Sequence, residues 1–205
     1  MELFLGVLIP FCFLALLARW VIHPQPPAWD VAVLRWFHQH ASPERDRAVI
    51  WISELGTWQG VGPVTIGLLG WFLVRRRPRK ALFVFLSMVG EWLLNNAAKA
   101  FYGRPRPALW SSPAPEIWFG FPSGHAMSSM ALGTVLTILA WRTPARWPVA
   151  LFSALFVVAV SASRLYLGVH YPSDILAAWL ASLAWVTGLR LLLLPRAHRS
   201  PRTPG

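Results

Sequence analysis

An all-α bundle of six transmembrane helices, a polytopic membrane protein, is the fold class this sequence predicts, and three observations predict it. Of its 205 residues, 56% are hydrophobic and 13% charged, about half the charged share of a typical soluble domain. The apolar residues gather into runs of about 20, the length a helix needs to cross the hydrocarbon core of a bilayer. The chain also holds 13 tryptophans, several near the ends of those runs, where an amphipathic ring sits well at the lipid headgroups.

Residues 3–22 form the first apolar run, with Arg19 near its far end and Cys12, the single cysteine, inside it. The sequence that follows, Pro24-Gln25-Pro26-Pro27, is not a small-residue cleavage site, so a retained helix is expected rather than a secretory signal. With one cysteine no internal disulfide can form. Over residues 29–40, Trp29, Val33, Trp36 and Phe37 share one helical face while Asp30, Arg35 and Gln39 fall elsewhere, the pattern of a short helix lying in the interface. Ser42-Pro43-Glu44 reads as a helix start. The next run reaches Val74, with a bend or break expected near Gly60, Gly62 and Pro63, and with Glu54 and Gln59 delaying the true span.

The third span runs from about Ala81 to Phe101 and leads into a polar, proline-rich segment ending at Phe121. The fourth covers about Ser123 to Trp141, the fifth about Trp147 to Ser163 and the sixth about Pro172 to Leu194. A basic tail, about 196–205, is expected to be disordered. The whole chain, 1–205, reads as one integral-membrane domain.

Alternation of six spans puts the loops at 75–80 and 142–146 on the same side as both termini. That side carries eleven Lys/Arg (75, 76, 77, 79, 80, 142, 146, 190, 196, 199 and 202) against one acid, Glu2. The other half holds eight basic residues and seven acids. The positive-inside bias therefore places the termini in the cytoplasm. It also accounts for the net charge of +11 without a nucleic-acid partner.

Three polar clusters then meet on the outer face. Glu91, Asn95 and Lys99 lie four apart on one helix face, and Gly103-Arg104-Pro105-Arg106-Pro107 follows them. A guanidinium on a stiff, extended backbone suits phosphate oxygens. The second cluster, Phe121-Pro122-Ser123-Gly124-His125, stands at a helix start, whose unused N–H groups attract anions. The third is Ser163-Arg164 with His170 and Asp174. Asp174 is expected to accept a proton from one imidazole nitrogen of His170, leaving the other to attack. Lys99, Arg104, Arg106 and Arg164 gather positive charge with Asp174 as the one obvious carboxylate, and such a cluster needs an anion to balance it. No Walker sequence or zinc spacing is present, so neither a metal nor a cofactor is expected.

These clusters resemble the three signatures of the type 2 phosphatidic acid phosphatase superfamily, which includes membrane lipid phosphatases. Lysine, six residues, then arginine-proline is met by Lys99 through Arg106-Pro107. Proline-serine-glycine-histidine is met by Pro122 to His125, and the third signature by Ser163-Arg164, His170 and Asp174. The resemblance covers roughly residues 48–194, with the motifs within 99–174. It implies that His170 is the nucleophile, forming a phosphohistidine, that Asp174 orients it, and that His125 is the general acid. It further implies a phosphate clamp of Lys99, Arg106 and Arg164 with Ser123 and the Gly124 N–H. Arg104, outside the fixed positions, is an accessory group for which a second phosphate is one candidate.

The expected function is a metal-independent lipid phosphatase of the bacterial inner membrane, with its site facing outward. The substrate expected is a lipid phosphate or diphosphate, with undecaprenyl diphosphate favoured and phosphatidylglycerophosphate or phosphatidic acid as alternatives. Phosphotransfer to a lipid hydroxyl is a mechanistic rival. A non-catalytic lipid-binding or transport protein is the rival from another class, although no inverted repeat supports transport.

Overall fold

The computed structural model describes residues 3–21 and 25–194, and among these every regular element is helical. The basic tail at 196–205 lies outside the described residues. A short π-helical stretch, Phe4–Leu8, runs into α1 (Ile9–Val21). Then come α2 (Ala28–Gln39), α3 (Pro43–Glu54), α4 (Trp58–Val74), α5 (Pro78–Tyr102), α6 (Gly124–Ala140), α7 (Arg146–Tyr166) and α8 (Pro172–Leu193).

Local chemistry sets the boundaries. Pro43, Pro78 and Pro172 sit in the first turns of α3, α5 and α8, where a missing N–H costs nothing. Gly103 ends α5 in the left-handed region at φ +54°, its N–H donating to Lys99 O at 3.0 Å, a glycine helix stop. The expected run from Pro43 to Val74 is broken, but earlier than its glycines indicated. The chain turns at Leu55–Thr57, and Thr57 caps α4 by accepting the Gln59 N–H at 3.2 Å. Pro63 lies inside α4 without ending it.

Among the described residues, four helical stretches are long and apolar enough to cross a membrane: Phe4–Val21, Pro78–Tyr102, Arg146–Tyr166 and Pro172–Leu193. α4 and α6 have 17 residues each, the short end of the range for a span. α6 packs against α7 and α8, α5 against α4, α6 and α8, and α1 against α8. Phe83, Val84, Val135 and Val186 are fully buried between them. Outward-facing Trp92, Leu93, Phe152 and Leu155 are exposed, an apolar exterior that water would not favour and lipid does.

Gly90 brings α5 against α8. A Cβ there would lie 2.2 Å from the Trp185 ring, whose Nε1 donates to Leu86 O at 3.0 Å. The short helix α2 turns its aromatic face outward, as a helix lying in the interface does. Its aromatics Trp29 and Trp36 are exposed, while Asp30 and Leu34 are fully buried against α7 and α8.

Candidate active site

At one end of the bundle the last turns of α5 and α7 meet the first turns of α6 and α8. Two connections, residues 103–123 and 167–171, close over that end. The second is shaped by Gly168, at φ +69°, where the Trp110 indole approaches so closely that a Cβ would sit 2.7 Å from it. His170 follows directly, fully buried, and Pro172 then starts α8.

His170 Nδ1 lies 2.8 Å from Gly120 O. A carbonyl can only accept, so Nδ1 carries the proton and Nε2 carries the lone pair. Burial first, then the positive charges of Arg106, Arg164 and Lys99, hold this imidazole well below the ordinary histidine range. It is a free base at neutral pH. Nε2 accepts from Arg106 Nη1 at 2.8 Å.

This corrects the expected pairing. Asp174 Oδ2 is 3.6 Å from His170 Nδ1, beyond hydrogen-bond reach, and the Gly120 carbonyl accepts the Nδ1–H instead. Asp174 Oδ2 accepts the Tyr171 N–H at 2.8 Å, so its carboxylate fixes the turn that presents His170. Oδ1 accepts from Arg104. The same guanidinium reaches Asp30 Oδ2 at 3.2 Å and Ser173 Oγ at 2.8 Å. Asp30 in turn accepts the Ser173 N–H at 2.9 Å and its hydroxyl at 2.5 Å. Arg104 is thus held between two buried carboxylates, behind the histidine, rather than turned toward a second phosphate.

The remaining cations surround a carboxylate outside the three sequence motifs. Glu116, in the connection after α5, bridges Arg106 Nη2 at 2.5 Å and Arg164 Nη2, and stands 4.0 Å from His125 Nδ1. Burial would raise its pKa, but the Arg164 and Arg106 charges, with His125, outweigh it and keep the carboxyl below its ordinary range. Arg106 also donates to the carbonyls of Trp118 and Val169 at 2.5 and 2.9 Å. Arg164 Nη1 donates to Ser53 Oγ of α3 at 2.5 Å.

Two buried polar atoms here have no hydrogen-bond partner, Ser123 Oγ and Arg164 Nε. Both are donors. Gly124 faces α5: a Cβ on it would come within 3.3 Å of Asn95 Oδ1 and 3.9 Å of Lys99 Nζ. Asn95 Nδ2 donates to Pro122 O at 3.3 Å, which pins the Pro122–His125 turn onto α5.

The fold therefore gathers Lys99, Arg106, Ser123, Gly124, His125, Arg164, His170 and Asp174 at one end, with Arg104 behind them. Glu116, Asp30, Ser53 and Gly120 are additions to the expected set. Glu116 had one available signal: it is the sole acid between Glu91 and Asp174, in the connection that joins two cationic motifs.

A helical membrane bundle that carries two histidines and a cluster of cations at one end is the class this architecture defines. The chain belongs to the PAP2 superfamily, whose family model matches residues 80–197. The undecaprenyl-diphosphatase of Sulfolobus acidocaldarius is 25% identical over 190 residues, covering 89% of this chain and 87% of that protein. The lipid A 4'-phosphatase of Bacteroides thetaiotaomicron is 34% identical over 97 residues, 42% of this chain and 41% of its own length. The crystal structure of a transmembrane PAP2-type phosphatidylglycerolphosphate phosphatase from Bacillus subtilis has the same fold, with a TM-score of 0.81 over 90% of this chain and 94% of that one at 23% identity.

Proposed function

We propose that this protein is a metal-independent lipid phosphatase of the bacterial inner membrane that crosses the bilayer six times, with α4 and α6 as its two shortest spans. Its termini are cytoplasmic, its site faces outward, and its substrate is a polyprenyl diphosphate such as undecaprenyl diphosphate. The observation that carries the chemistry is the tautomer of His170: Nδ1 tied to Gly120 O at 2.8 Å leaves Nε2 as a buried nucleophile among fixed cations. The isoprenoid substrate rests on the relative from Sulfolobus acidocaldarius, which matches nearly the full length of both chains.

In the proposed reaction Nε2 of His170 attacks phosphorus and forms a P–N bond. The P–O bond to the leaving lipid phosphate breaks, and the departing oxygen takes a proton from His125. Water then attacks the phosphohistidine, gives its proton back to His125, and the P–N bond breaks to release inorganic phosphate. Lys99, Arg106 and Arg164 stabilise the charge spread over the transferring group. Ser123 Oγ and Arg164 Nε, two buried donors without partners at this end of the bundle, suit its equatorial oxygens. In this reading Glu116 holds Arg106 and Arg164 where a phosphate would bind, so substrate competes with an internal anion. Asp174 and Arg104 act as positioning residues through the His170 turn.

The test is a substrate panel on purified protein in detergent or liposomes, containing undecaprenyl diphosphate, phosphatidylglycerophosphate and phosphatidic acid, with and without chelator. The expected result is phosphate release highest from the diphosphate, unchanged by chelator, and reduced at least about a thousandfold in His170→Ala. Comparable turnover by that variant would overturn the nucleophile assignment. Preference for a glycerolipid phosphate would overturn the substrate.

A further inference from the structure

The end of the bundle remote from His170 holds a second recess. Between α6, α7 and α8, a cavity of about 960 Å³ opens, walled by apolar and small residues such as Gly133, Ala154, Val157 and Leu183. Its rim carries four cations, Arg79, Lys80, Arg142 and Arg190, and among the described residues lining it there is no Asp or Glu. None of the residues assigned to phosphoryl transfer lines it.

Geometry ties the recess to a lipid. Along α6 the lining runs from Met130 to Trp141, about 17 Å at 1.5 Å per residue, close to one leaflet's share of a ~30 Å hydrocarbon core. Its size is at the upper end of the ~300–1,000 Å³ usual for ligand pockets. An apolar shaft of that depth accepts an acyl chain, and a cationic rim at its mouth accepts the phosphate of the same molecule. Ser153, a wall residue whose buried Oγ has no hydrogen-bond partner, offers a donor to an ester carbonyl.

We propose that this cavity is a binding site for an anionic phospholipid of the leaflet opposite the active site, with its phosphate on Arg79, Lys80, Arg142 and Arg190 and a chain between α6, α7 and α8. The proposal rests on the reading that these helices cross the bilayer, and not on the phosphatase chemistry. His125 and Asp174 lie in the first turns of α6 and α8, whose opposite ends line this cavity.

The experiment is native mass spectrometry of the full chain in micelles titrated with dioleoylphosphatidylglycerol, a phosphodiester with no terminal phosphate for the proposed reaction to remove, and separately with dioleoylphosphatidylcholine. The expected result is one phosphatidylglycerol held per chain, at least about tenfold tighter than phosphatidylcholine. Arg79→Gln with Arg142→Gln weakens phosphatidylglycerol about thirtyfold, the factor for two charges beside a membrane surface. Ala154→Phe, which fills the shaft, weakens both lipids while phosphatase activity stays within about twofold. Equal retention of the two lipids by the unaltered protein overturns the proposal, and so does undiminished phosphatidylglycerol binding in the charge variants. Because the first comparison needs no variant, a substitution that unfolds the protein does not remove the test. Loss of phosphatase activity across the substrate panel with lipid selectivity intact would count against the enzymatic reading alone.

Discussion

The carbonyl of Gly120, through a single hydrogen bond to His170 Nδ1 at 2.8 Å, decides which imidazole nitrogen can attack. The motif spacing identified the histidine, but Gly120 lies 50 residues away in sequence, and no local pattern marks a backbone oxygen as a partner. Glu116 escaped notice for a similar reason: an acid in a proline-rich connection reads as solvated until the fold sets it between Arg106 and Arg164. Its carboxyl is held below its ordinary range, so it stays ionised throughout neutral pH. Removing that charge frees two guanidiniums, and Glu116→Gln is expected to bind inorganic phosphate about fivefold more tightly, the factor for about 1 kcal/mol. Inhibition constants for phosphate measured from about pH 5 to 8 check this. The difference from the unaltered protein should persist over that range and vanish only as pH falls through the depressed pKa of Glu116, where its charge is lost. Weaker phosphate binding in Glu116→Gln would show that the carboxylate orients the cations rather than competing for them.

Helix ends, more than helix interiors, carry the chemistry. Lys99 and Arg164 stand in the last turns of α5 and α7, and α6 and α8 begin at Gly124 and Pro172, so each motif was legible as a cluster of caps and charges beside an apolar run. α2 was legible as a short interfacial helix with an aromatic face, and Trp29 and Trp36 on that face are exposed; its pattern did not show that Asp30 is buried against the bundle. Asp30 links α2 to Arg104 and Ser173 on the active-site side. Breaking such a buried network by removing one partner costs about 3–5 kcal/mol. Asp30→Ala is therefore expected to lower the thermal midpoint, and to reduce kcat with little change in KM. The pairing of α5 with α8 sets a second requirement. Gly90→Leu must push against Trp185, and an overpacked contact costs about 1–3 kcal/mol. Thermal unfolding in detergent should show a lower midpoint for Gly90→Leu, while Gly67→Leu, in a position with nothing nearby, leaves it unchanged.

For the molecule as a whole, composition revealed a helical membrane protein, and three spaced motifs revealed the family, because both are properties of the chain read locally. The split of residues 43–74 into α3 and α4 was not legible in the same way. α3 reads as the polar start of a span, yet it packs on α7 and delivers Ser53 to Arg164. The result is a bundle with two differently built ends, a histidine–cation site at one and a cation-rimmed apolar cavity at the other. The central step of the proposed reaction is transfer of the phosphoryl group to His170 Nε2. Rapid quenching of the protein during turnover of a substrate labelled in its terminal phosphate, followed by digestion and mass spectrometry under alkaline conditions, tests it directly. A transient, acid-labile phosphate on His170 in the Nε2-linked isomer, absent from His170→Ala, is expected. Phosphate release in a single turnover with no label on His170, or label on Nδ1, would contradict it.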